Sequence, residues 1–377
     1  MLKSYISWVR VPGLFGLLLL SLFLAGCGSA PTKDEEFKIP VFPPPPEPAR
    51  FYWERTLTSS FDVKELTGMD KLKAFATGSI GVAHGFAKPY GVAVYHGRIY
   101  VTDTVQRVVM MFDAPGRDFK VIGQDGMGQL LKPIGITVDR NNGTIYVADN
   151  TAKRVVVFDK DGKYLRAIGG SELLRRPTGV AVSPDGSKLY VVDAGGVDSS
   201  EHHMYIFDAL SGTLLHTIGT RGKEEGQFNL PLQAATAPDG TVYVVDGGNF
   251  RVEAFSPDGK FKLSFGGIGR KSGQFSRPKG IAVGPDGNIY VVDAAFGNFQ
   301  IFNPQGQLLL FVGDRGIRGG PAEYMLPAGI AVDEDGRVYM VDQYYKKVDV
   351  YRPANLARDQ GWLSSIEKKN HESPSSN

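Results

Sequence analysis

A short pattern, Tyr-(Val/Met)-x-Asp, recurs six times along this chain of 377 residues. The copies end at Asp103, Asp149, Asp193, Asp246, Asp293 and Asp342, with spacings of 46, 44, 53, 47 and 49 residues. A period in this range indicates that each repeat is one supersecondary unit, stable only beside its neighbours. The repeat therefore constrains the fold more tightly than the length or the composition does.

Each copy predicts four short strands. A small apolar segment such as "GIAV" from Gly280 precedes the Tyr-Val-x-Asp strand, and a turn such as Pro-Asp-Gly separates the two. A third strand ends in an aromatic residue, and five copies add a fourth strand ending in glycine, such as "FKLSFG" (Phe261–Gly266). Radial stacking buries both apolar faces of such sheets and leaves few edges. We therefore expect an all-β fold, a six-bladed β-propeller.

The sixth copy lacks a fourth strand after Tyr351. The segment "KLKAFATG" (Lys71–Gly78), ahead of the first copy, matches the missing element. We therefore predict that this N-terminal strand closes the last blade. The predicted propeller covers 71–352, preceded by a leader segment at 51–70 and followed by a partly disordered tail at 353–377.

The N-terminus has the features of an export signal. Lys3 and Arg10 flank the start of the chain, and Val11–Leu24 is an apolar run too short to span a bilayer comfortably. The run ends in "LAGC", whose Cys27 is the only cysteine. This motif resembles the lipobox of bacterial lipoproteins, which implies a signal peptide at 1–26 and a lipid on Cys27. An ordinary secretory signal or a membrane anchor is the alternative.

The lipobox resemblance implies a location as well. Gly28, rather than Asp, follows the cysteine, which in Gram-negative lipoproteins implies sorting to the outer membrane. Four consecutive prolines, Pro43–Pro46, favour extended polyproline II within residues 27–50. This segment is predicted to be a lipidated, semi-rigid linker.

The repeats resemble the NHL family, and Gln274–Gly313 is a near-complete copy of its motif. The resemblance covers about Lys71 to Arg352 and implies a six-bladed propeller. It leaves the function open, because propellers of this kind serve as binding platforms, lyases and lactonases.

The repeated aspartates have two interpretations. Each precedes the turn into the third strand, where its carboxylate can accept backbone N–H groups. Six carboxylates near one face could alternatively bind a cation. Strand direction places the turns after the Tyr-Val-x-Asp strands and the loops between blades on one face, which we call the recognition face.

The recognition face carries the candidate binding residues. The stretch from Gly266 to Lys279 contains four cationic residues and no acid, and aromatic residues lie in neighbouring loops. The candidate partner-binding residues are Arg270, Lys271, Arg277, Lys279, Phe296, Tyr344, Tyr345 and Lys346. The expected partner is an envelope protein or a polysaccharide. The balanced charge, 42 Lys and Arg against 40 Asp and Glu, gives no indication of nucleic acid.

An enzymatic function is the alternative. The third copy carries an insertion, Ala194–His203, predicted to be an exposed loop. His84, His202 and His203 are the histidines that could meet on the recognition face, as candidate metal ligands of a lyase or lactonase. The inner strands carry no carboxylate, and no nucleophile lies at a recognisable spacing from a base. We therefore expect a lipid-anchored, non-catalytic binding platform without a cofactor.

Overall fold

The computed structural model describes residues 38–64, 68, 72, 75–76, 83–196 and 198–364. The chain divides into two units, Met1–Ile39 and Pro40–Asn377, and the second contains the fold. Cys27 and the predicted signal peptide lie outside the described residues. No helix in the described part of the chain is long and apolar enough to cross a membrane.

The described strands form six antiparallel blades around a central channel. Two strands precede the first blade: β1 (Val41–Phe42) and β2 (Phe51–Leu57). Blades 1 to 3 contain β3 (Pro89–Tyr95), β4 (Arg98–Asp103), β5 (Val108–Asp113), β6 (Asp118–Ile122), β7 (Pro133–Val138), β8 (Ile145–Asp149), β9 (Arg154–Phe158), β10 (Tyr164–Ile168), β11 (Pro177–Val182), β12 (Lys188–Asp193), β13 (His203–Asp208) and β14 (Leu214–Ile218).

The second half of the ring repeats this order. Blades 4 and 5 contain β15 (Pro231–Thr236), β16 (Val242–Asp246), β17 (Arg251–Phe255), β18 (Phe261–Gly266), β19 (Pro278–Val283), β20 (Ile289–Asp293), β21 (Asn298–Phe302) and β22 (Leu308–Val312). The short pair β23 (Asp314–Arg315) and β24 (Glu323–Tyr324) precedes blade 6, which contains β25 (Pro327–Val332), β26 (Val338–Asp342) and β27 (Lys347–Pro353). Three 3₁₀ turns lie at Ser60–Asp62, Gly126–Gly128 and Gly247–Asn249.

Small residues allow the inner strands to approach one another closely. A Cβ atom on Gly280 would lie 2.3 Å from the carbonyl oxygen of Ala328, and one on Gly329 would lie 2.3 Å from that of Tyr90. The fourth inner strand has Gln233 at this position, and its Oε1 accepts the N–H of Val180 at 3.1 Å. The side-chain amide therefore takes part in the contact between these two blades.

An N-terminal strand closes the last blade, as predicted, but the predicted segment was wrong. β2 pairs with β27, with Phe51 opposite Pro353 and Leu57 opposite Val348. Most of Lys71–Gly78 lies outside the described residues, although Leu72 and Phe75 are helical and exposed. β2 does not end in glycine, which is the feature on which the prediction of Lys71–Gly78 was based.

The proline-rich segment is not an extended stalk from Pro40 onward. β1 pairs with β2, and the N–H of Arg50 donates to the carbonyl of Phe42 at 2.7 Å. The ring of Phe42 lies edge-on to Tyr351, with centroids 5.9 Å apart. The prolines therefore lie in a tight connection that adds a fifth strand to blade 6.

The beginning of the C-terminal tail is also packed on the propeller. Leu363 is fully buried in the cluster that contains Phe112 and Val341. Trp362 stacks on His96 with ring centroids 4.4 Å apart. The rest of the predicted tail, residues 365–377, lies outside the described residues.

A buried ion pair joins both ends of the propeller. The register of β2 shifts between Trp53 and Arg55, which leaves Glu54 as the bulged residue. The Arg337 guanidinium donates to both oxygens of Glu54, at 2.8 and 3.3 Å, and both side chains are fully buried. It also donates to the carbonyl of Gln360 at 2.9 Å. One arginine therefore connects the closing strand, the last blade and the C-terminal tail.

We expect Glu54→Ala to destabilise the propeller by about 3–5 kcal/mol, because it removes the fully buried carboxylate from the Arg337 guanidinium and leaves only the partly exposed Asp335 at 3.2 Å. Glu47→Ala, an exposed carboxylate in the same N-terminal region, is the matched control. Chemical denaturation of both variants measures the difference. Equal unfolding midpoints would show that the ion pair does not stabilise ring closure.

Candidate functional site

The recognition face is held together by the six repeated aspartates. Asp293, for example, accepts the N–H groups of Ser276 and Arg277 at 2.7 and 3.0 Å from the loop before its blade. It also accepts those of Ala295 and Phe296, at 2.9 and 3.1 Å, from the turn that follows. The corresponding carboxylate in each of the other blades bonds the same loop. The turn-stabilising interpretation of these aspartates is confirmed.

These bonds also confirm that the loops between blades and the turns after the Tyr-Val-x-Asp strands share one face. All six aspartates are at most 1% exposed. A buried carboxylate needs hydrogen-bond donors, and the backbone amides of the loop and the turn supply them. The loops are therefore fixed in position before any partner binds.

A second set of polar residues holds the same loops in blades 4 to 6. Glu253, Gln300 and Asp349 occupy the middle of the third strand, where the first three blades have Met110, Val156 and Tyr205. Their oxygens accept the N–H groups of Gly226, Gly273 and Ala322, each at 3.2 Å. Sequence analysis missed this set, although a polar residue in a buried apolar strand was the available signal.

Arg270 and Lys271 lie beside Phe296, as the sequence suggested. The three line an open groove of about 600 Å³, together with the outer-strand residues Leu308 and Phe311. Asp314 is the acidic residue in this lining. Among the described residues, no ion pair or hydrogen bond neutralises the side chain of Arg270 or Lys271.

Lys279 lies elsewhere, at the recognition-face end of the channel. It is the second residue of β19 and is half-buried. Burial, together with the positive charges of Arg277 and Lys88, lowers the pKa of its ammonium to about 8, whereas the carboxylate of Asp342 opposes the shift. We define the channel mouth as the residues on either side of the first proline of each inner strand. Arg277 and Lys279 belong to it.

The three candidates in blade 6 have different environments. The Tyr344 side chain is 62% exposed. The hydroxyl of Tyr345 donates to the carbonyl of Gly316 at 2.7 Å, so this ring helps to hold a neighbouring loop. Lys346 is exposed and has a positive φ of 54°. The eight candidate residues therefore lie at three places rather than in one continuous patch.

The channel mouth carries cations that sequence analysis did not group together. Each inner strand begins with a proline, and four of the six residues that precede these prolines are cationic: Lys88, Lys132, Arg176 and Arg277. Leu230 and Leu326 occupy the other two positions. An alignment of the six copies on this proline was the signal that could have found the set.

The three candidate histidines are not brought together. His84 stacks on Phe119 of the outer strand in blade 1, with centroids 5.5 Å apart. His202 is 1% exposed, which contradicts the prediction of an exposed loop, and its Nδ1 accepts the N–H of Leu230 at 3.1 Å. Burial lowers the pKa of this imidazole. His203 begins β13, with its Nδ1 2.8 Å from the carbonyl of Gly219.

The channel below the mouth contains a cavity of about 290 Å³. Its lining is mostly Val, Ile and Ala from the inner strands, with Thr137, Gln233 and Thr236 among the polar members. Arg140 lies at the opposite end, where its Nη2 donates to the carbonyl of Val332 across the channel at 2.8 Å. Within the described residues, no group of three His, Cys, Asp or Glu side chains is placed to hold a metal ion.

Two family models match parts of the chain. A model described as a 6-bladed beta-propeller matches residues 85–169, and an NHL repeat model matches residues 275–302. The protein is a six-bladed β-propeller that contains an NHL repeat at residues 275–302. No curated protein sequence matches the chain.

Solved structures share the NHL propeller's fold at low identity. A Bacteroides thetaiotaomicron VPI-5482 protein of unknown function is 18% identical with a TM-score of 0.57, covering 79% of this chain and 75% of that chain. A gluconolactonase from Xanthomonas campestris is 17% identical with a TM-score of 0.54, covering 71% and 86%. Virginiamycin B lyase from Staphylococcus aureus is 13% identical with a TM-score of 0.52, covering 80% and 99%. At these identities the likeness shows the fold alone.

Glu253 makes the stability of the NHL propeller depend on pH. Its side chain is fully buried, and burial raises its pKa to about 7 against the opposing effect of Arg251. A raised carboxyl pKa means that the folded state holds a proton which the unfolded state releases near pH 4.5. Stability from this group is therefore fully present at low pH and is lost as the pH rises toward 7.

As the pH rises from 5 to 8, we expect the free energy of unfolding of Glu253→Gln to increase by about 2–3 kcal/mol relative to that of the wild type. The amide oxygen still accepts the N–H of Gly226, as that of Gln300 accepts Gly273 in blade 5. Thermal unfolding across this pH range measures the effect, with Glu172→Gln, an exposed carboxylate in another blade, as the control. Parallel pH profiles for the wild type and Glu253→Gln would contradict the assignment.

Proposed function

We propose that this NHL propeller is a lipid-anchored, non-catalytic binding platform of the cell envelope, whose recognition face binds an envelope protein or a polysaccharide. The observation that carries the proposal is the contrast between fixed loops and unpaired cations on one face. Buried aspartates hold the backbone of the loops, whereas Arg270, Lys271 and Lys346 make no side-chain ion pair or hydrogen bond in the described part of the chain.

Prearranged loops favour binding, because little conformational entropy is lost when a partner docks. Unpaired cations attract a negatively charged partner and can raise the association rate. The exposed Tyr344 and the half-buried Phe296 add aromatic area, which is enriched at interfaces. The proposal contains no chemical step, because the described lining of the channel offers neither an acid nor a histidine.

The anchor in this proposal rests on Cys27 and the "LAGC" motif. A lipid there would hold the propeller at a membrane surface through its N-terminal segment. Gly28 after the cysteine supports the outer membrane as the destination, through the lipoprotein resemblance.

We expect Cys27→Ser to remove the mature membrane-bound form, because a hydroxyl cannot take the lipid as a thioether. Fractionation of cells and immunoblotting for the processed protein measure this. Ser29→Ala, two residues further on, is the matched control. Membrane fractionation of Cys27→Ser in its processed form, at the wild-type level, would exclude the lipid anchor.

We expect the triple change of Arg270, Lys271 and Lys346 to Gln to weaken capture of the native partner by the full-length lipidated protein, most strongly at low salt. These exposed charges have little effect on folding, within about 0.5 kcal/mol. The measurement is affinity capture from native membranes followed by quantification of bound material.

The matched control changes Lys160, Lys163 and Lys260 to Gln. All three are exposed on turns of the opposite face. Equal recovery of the same partner with both triple variants would overturn binding through the recognition face. Catalytic turnover that requires a bound metal and is lost in His84→Ala or His202→Ala would show that the protein is an enzyme rather than a binding platform.

A further inference from the structure

The most exposed apolar side chains of the propeller are concentrated on one part of the recognition face. Five large apolar side chains there are 61–85% exposed to solvent: Val105, Met127, Ile268, Ile317 and Tyr344. On the described turns of the opposite face, Leu210 alone reaches this exposure. Single exposed apolar residues are common on protein surfaces, but their concentration on one side indicates a surface that is covered.

These five residues follow one another around half of the ring. They lie in the loop before blade 2, the turn of blade 1, the turn of blade 6 and the loops before blades 5 and 6. We call this part of the recognition face the basic–apolar arc. Blade 6 lies at its centre. The arc consists of residues 267–277, 294–297, 313–326, 343–346, 58–64, 83–88, 104–107 and 123–132.

The arc also concentrates positive charge. Its residues include ten exposed Lys and Arg side chains against two exposed carboxylates, Asp125 and Asp314. In the part of the chain that the structure describes, none of these ten cations forms an ion pair. The other described loops and turns of the recognition face carry three exposed cations and four exposed carboxylates. Positive charge and apolar exposure therefore coincide on the same half of the face.

Cations and apolar side chains alternate within single loops of the arc. The neighbouring pairs are Val105 and Arg107, Ile268 and Arg270, Ile317 and Arg318, and Tyr344 and Lys346. Interfaces between proteins usually have few charged residues in their apolar core. A bilayer surface accepts both kinds of residue, because apolar side chains enter the boundary of the acyl chains while cations remain at anionic headgroups. The alternation therefore favours a lipid surface over a protein.

The backbone of the arc holds these apolar side chains in the solvent. The N–H of Val105 donates to Asp103 at 3.0 Å, and that of Tyr344 donates to Asp342 at 2.8 Å. Met127 lies within the 3₁₀ turn of the loop before blade 2. Because these bonds restrict the loops, the apolar side chains cannot turn inward freely. A surface that covers them must come from outside the propeller.

The N-terminal tether adds to the case for a lipid surface. β1 is the outermost strand of blade 6, the blade at the centre of the arc. Thirteen residues, 28–40, separate this strand from Cys27, and a chain of this length spans about 45 Å at most. With the lipid anchor proposed above, the propeller therefore stays within reach of the bilayer. A short tether raises the effective concentration of a weak second contact.

We propose that the basic–apolar arc docks on a bilayer surface that contains anionic lipids. The five exposed apolar side chains enter the headgroup region, and the cations of the arc lie at lipid phosphates. This contact goes beyond the proposed function, because it requires neither a partner protein nor a polysaccharide. Arg270, Lys271 and Lys346, which the capture experiment changes, lie within the arc, so the test of docking changes other cations.

The test identifies the face that contacts lipid, through an environment-sensitive fluorophore on a single introduced cysteine. The full-length Cys27→Ser chain carries Ile317→Cys, or Leu210→Cys as the matched control on the opposite face. Each labelled protein is mixed with protein-free vesicles of equal parts phosphatidylglycerol and phosphatidylcholine. We expect the emission to shift to the blue at position 317 and not at position 210. Vesicles of phosphatidylcholine alone should give a much smaller shift at position 317.

A charge variant tests the role of the cations. Changing Lys88, Lys132 and Arg318 to Gln should reduce the shift at position 317 by about half or more, because each basic residue near an anionic surface adds to the attraction. All three are exposed and lie outside the set used for partner capture. The control again changes Lys160, Lys163 and Lys260, on the opposite face, to Gln.

The inference is wrong if position 317 gives no shift with anionic vesicles, or if positions 317 and 210 shift equally. Equal shifts with the two lipid compositions, or with the two triple variants, would also overturn it. A shift with native membranes but not with protein-free vesicles would assign the arc to a protein partner instead. These outcomes are distinguishable from failure of the platform or of the anchor, because the vesicles contain no partner and the Cys27→Ser chain carries no lipid at that residue.

Discussion

A buried carboxylate saturated by backbone amides is the interaction on which the recognition face depends. An ionised group removed from water is stable only when hydrogen bonds replace its hydration. At the end of each second strand, the aspartate finds these bonds in the loop that leads into its own blade, and in most blades also in the next turn. The same bonds fix the backbone of segments that lack regular structure. Repetition of one residue type thereby produces a complete face of ordered loops.

This arrangement separates the residues that hold the loops from those that can contact a ligand. In five blades the aspartate accepts the main-chain N–H of the residue before the proline, as with Lys88 and Arg277, and makes no contact with the side chain of that residue. In blade 4 the imidazole of His202 accepts the N–H of Leu230 instead. Substitution at that position changes the charge of the channel mouth without loss of the backbone bond. The side chain before the proline can therefore differ between blades with little effect on stability. This explains why blades with the same backbone fold carry Lys, Arg or Leu there.

The features that repeat in all six copies could be predicted from the sequence, whereas the features found in a single copy could not. The number of blades, the strand order and the role of the repeated aspartates follow from six copies of one pattern. Lys71–Gly78 was predicted to be the closing strand because it ends in glycine, as the fourth strands of the other blades do, whereas the observed strand Phe51–Leu57 lacks a terminal glycine. His202 was placed in an exposed loop on polar composition, whereas its imidazole accepts the N–H of Leu230 and is buried. Long-range contacts of this kind have no local signature.

The inner-strand contacts separate the residues at the channel mouth from those that line the channel. Below the mouth, neighbouring backbones approach so closely that Gly280 and Gly329 have no room for a Cβ atom. Below that level the lining is mostly Val, Ile and Ala, with Thr137, Thr236 and Arg140 among its polar members. The residue directly after each proline lies one position nearer the recognition face, where this close backbone contact does not limit the size of a side chain. At this position the six copies carry Tyr90, Ile134, Thr178, Leu232, Lys279 and Ala328. The charge at the channel mouth is therefore decided by a few positions at the start of the inner strands. In this protein Lys279 and the residues before the prolines make the channel mouth basic.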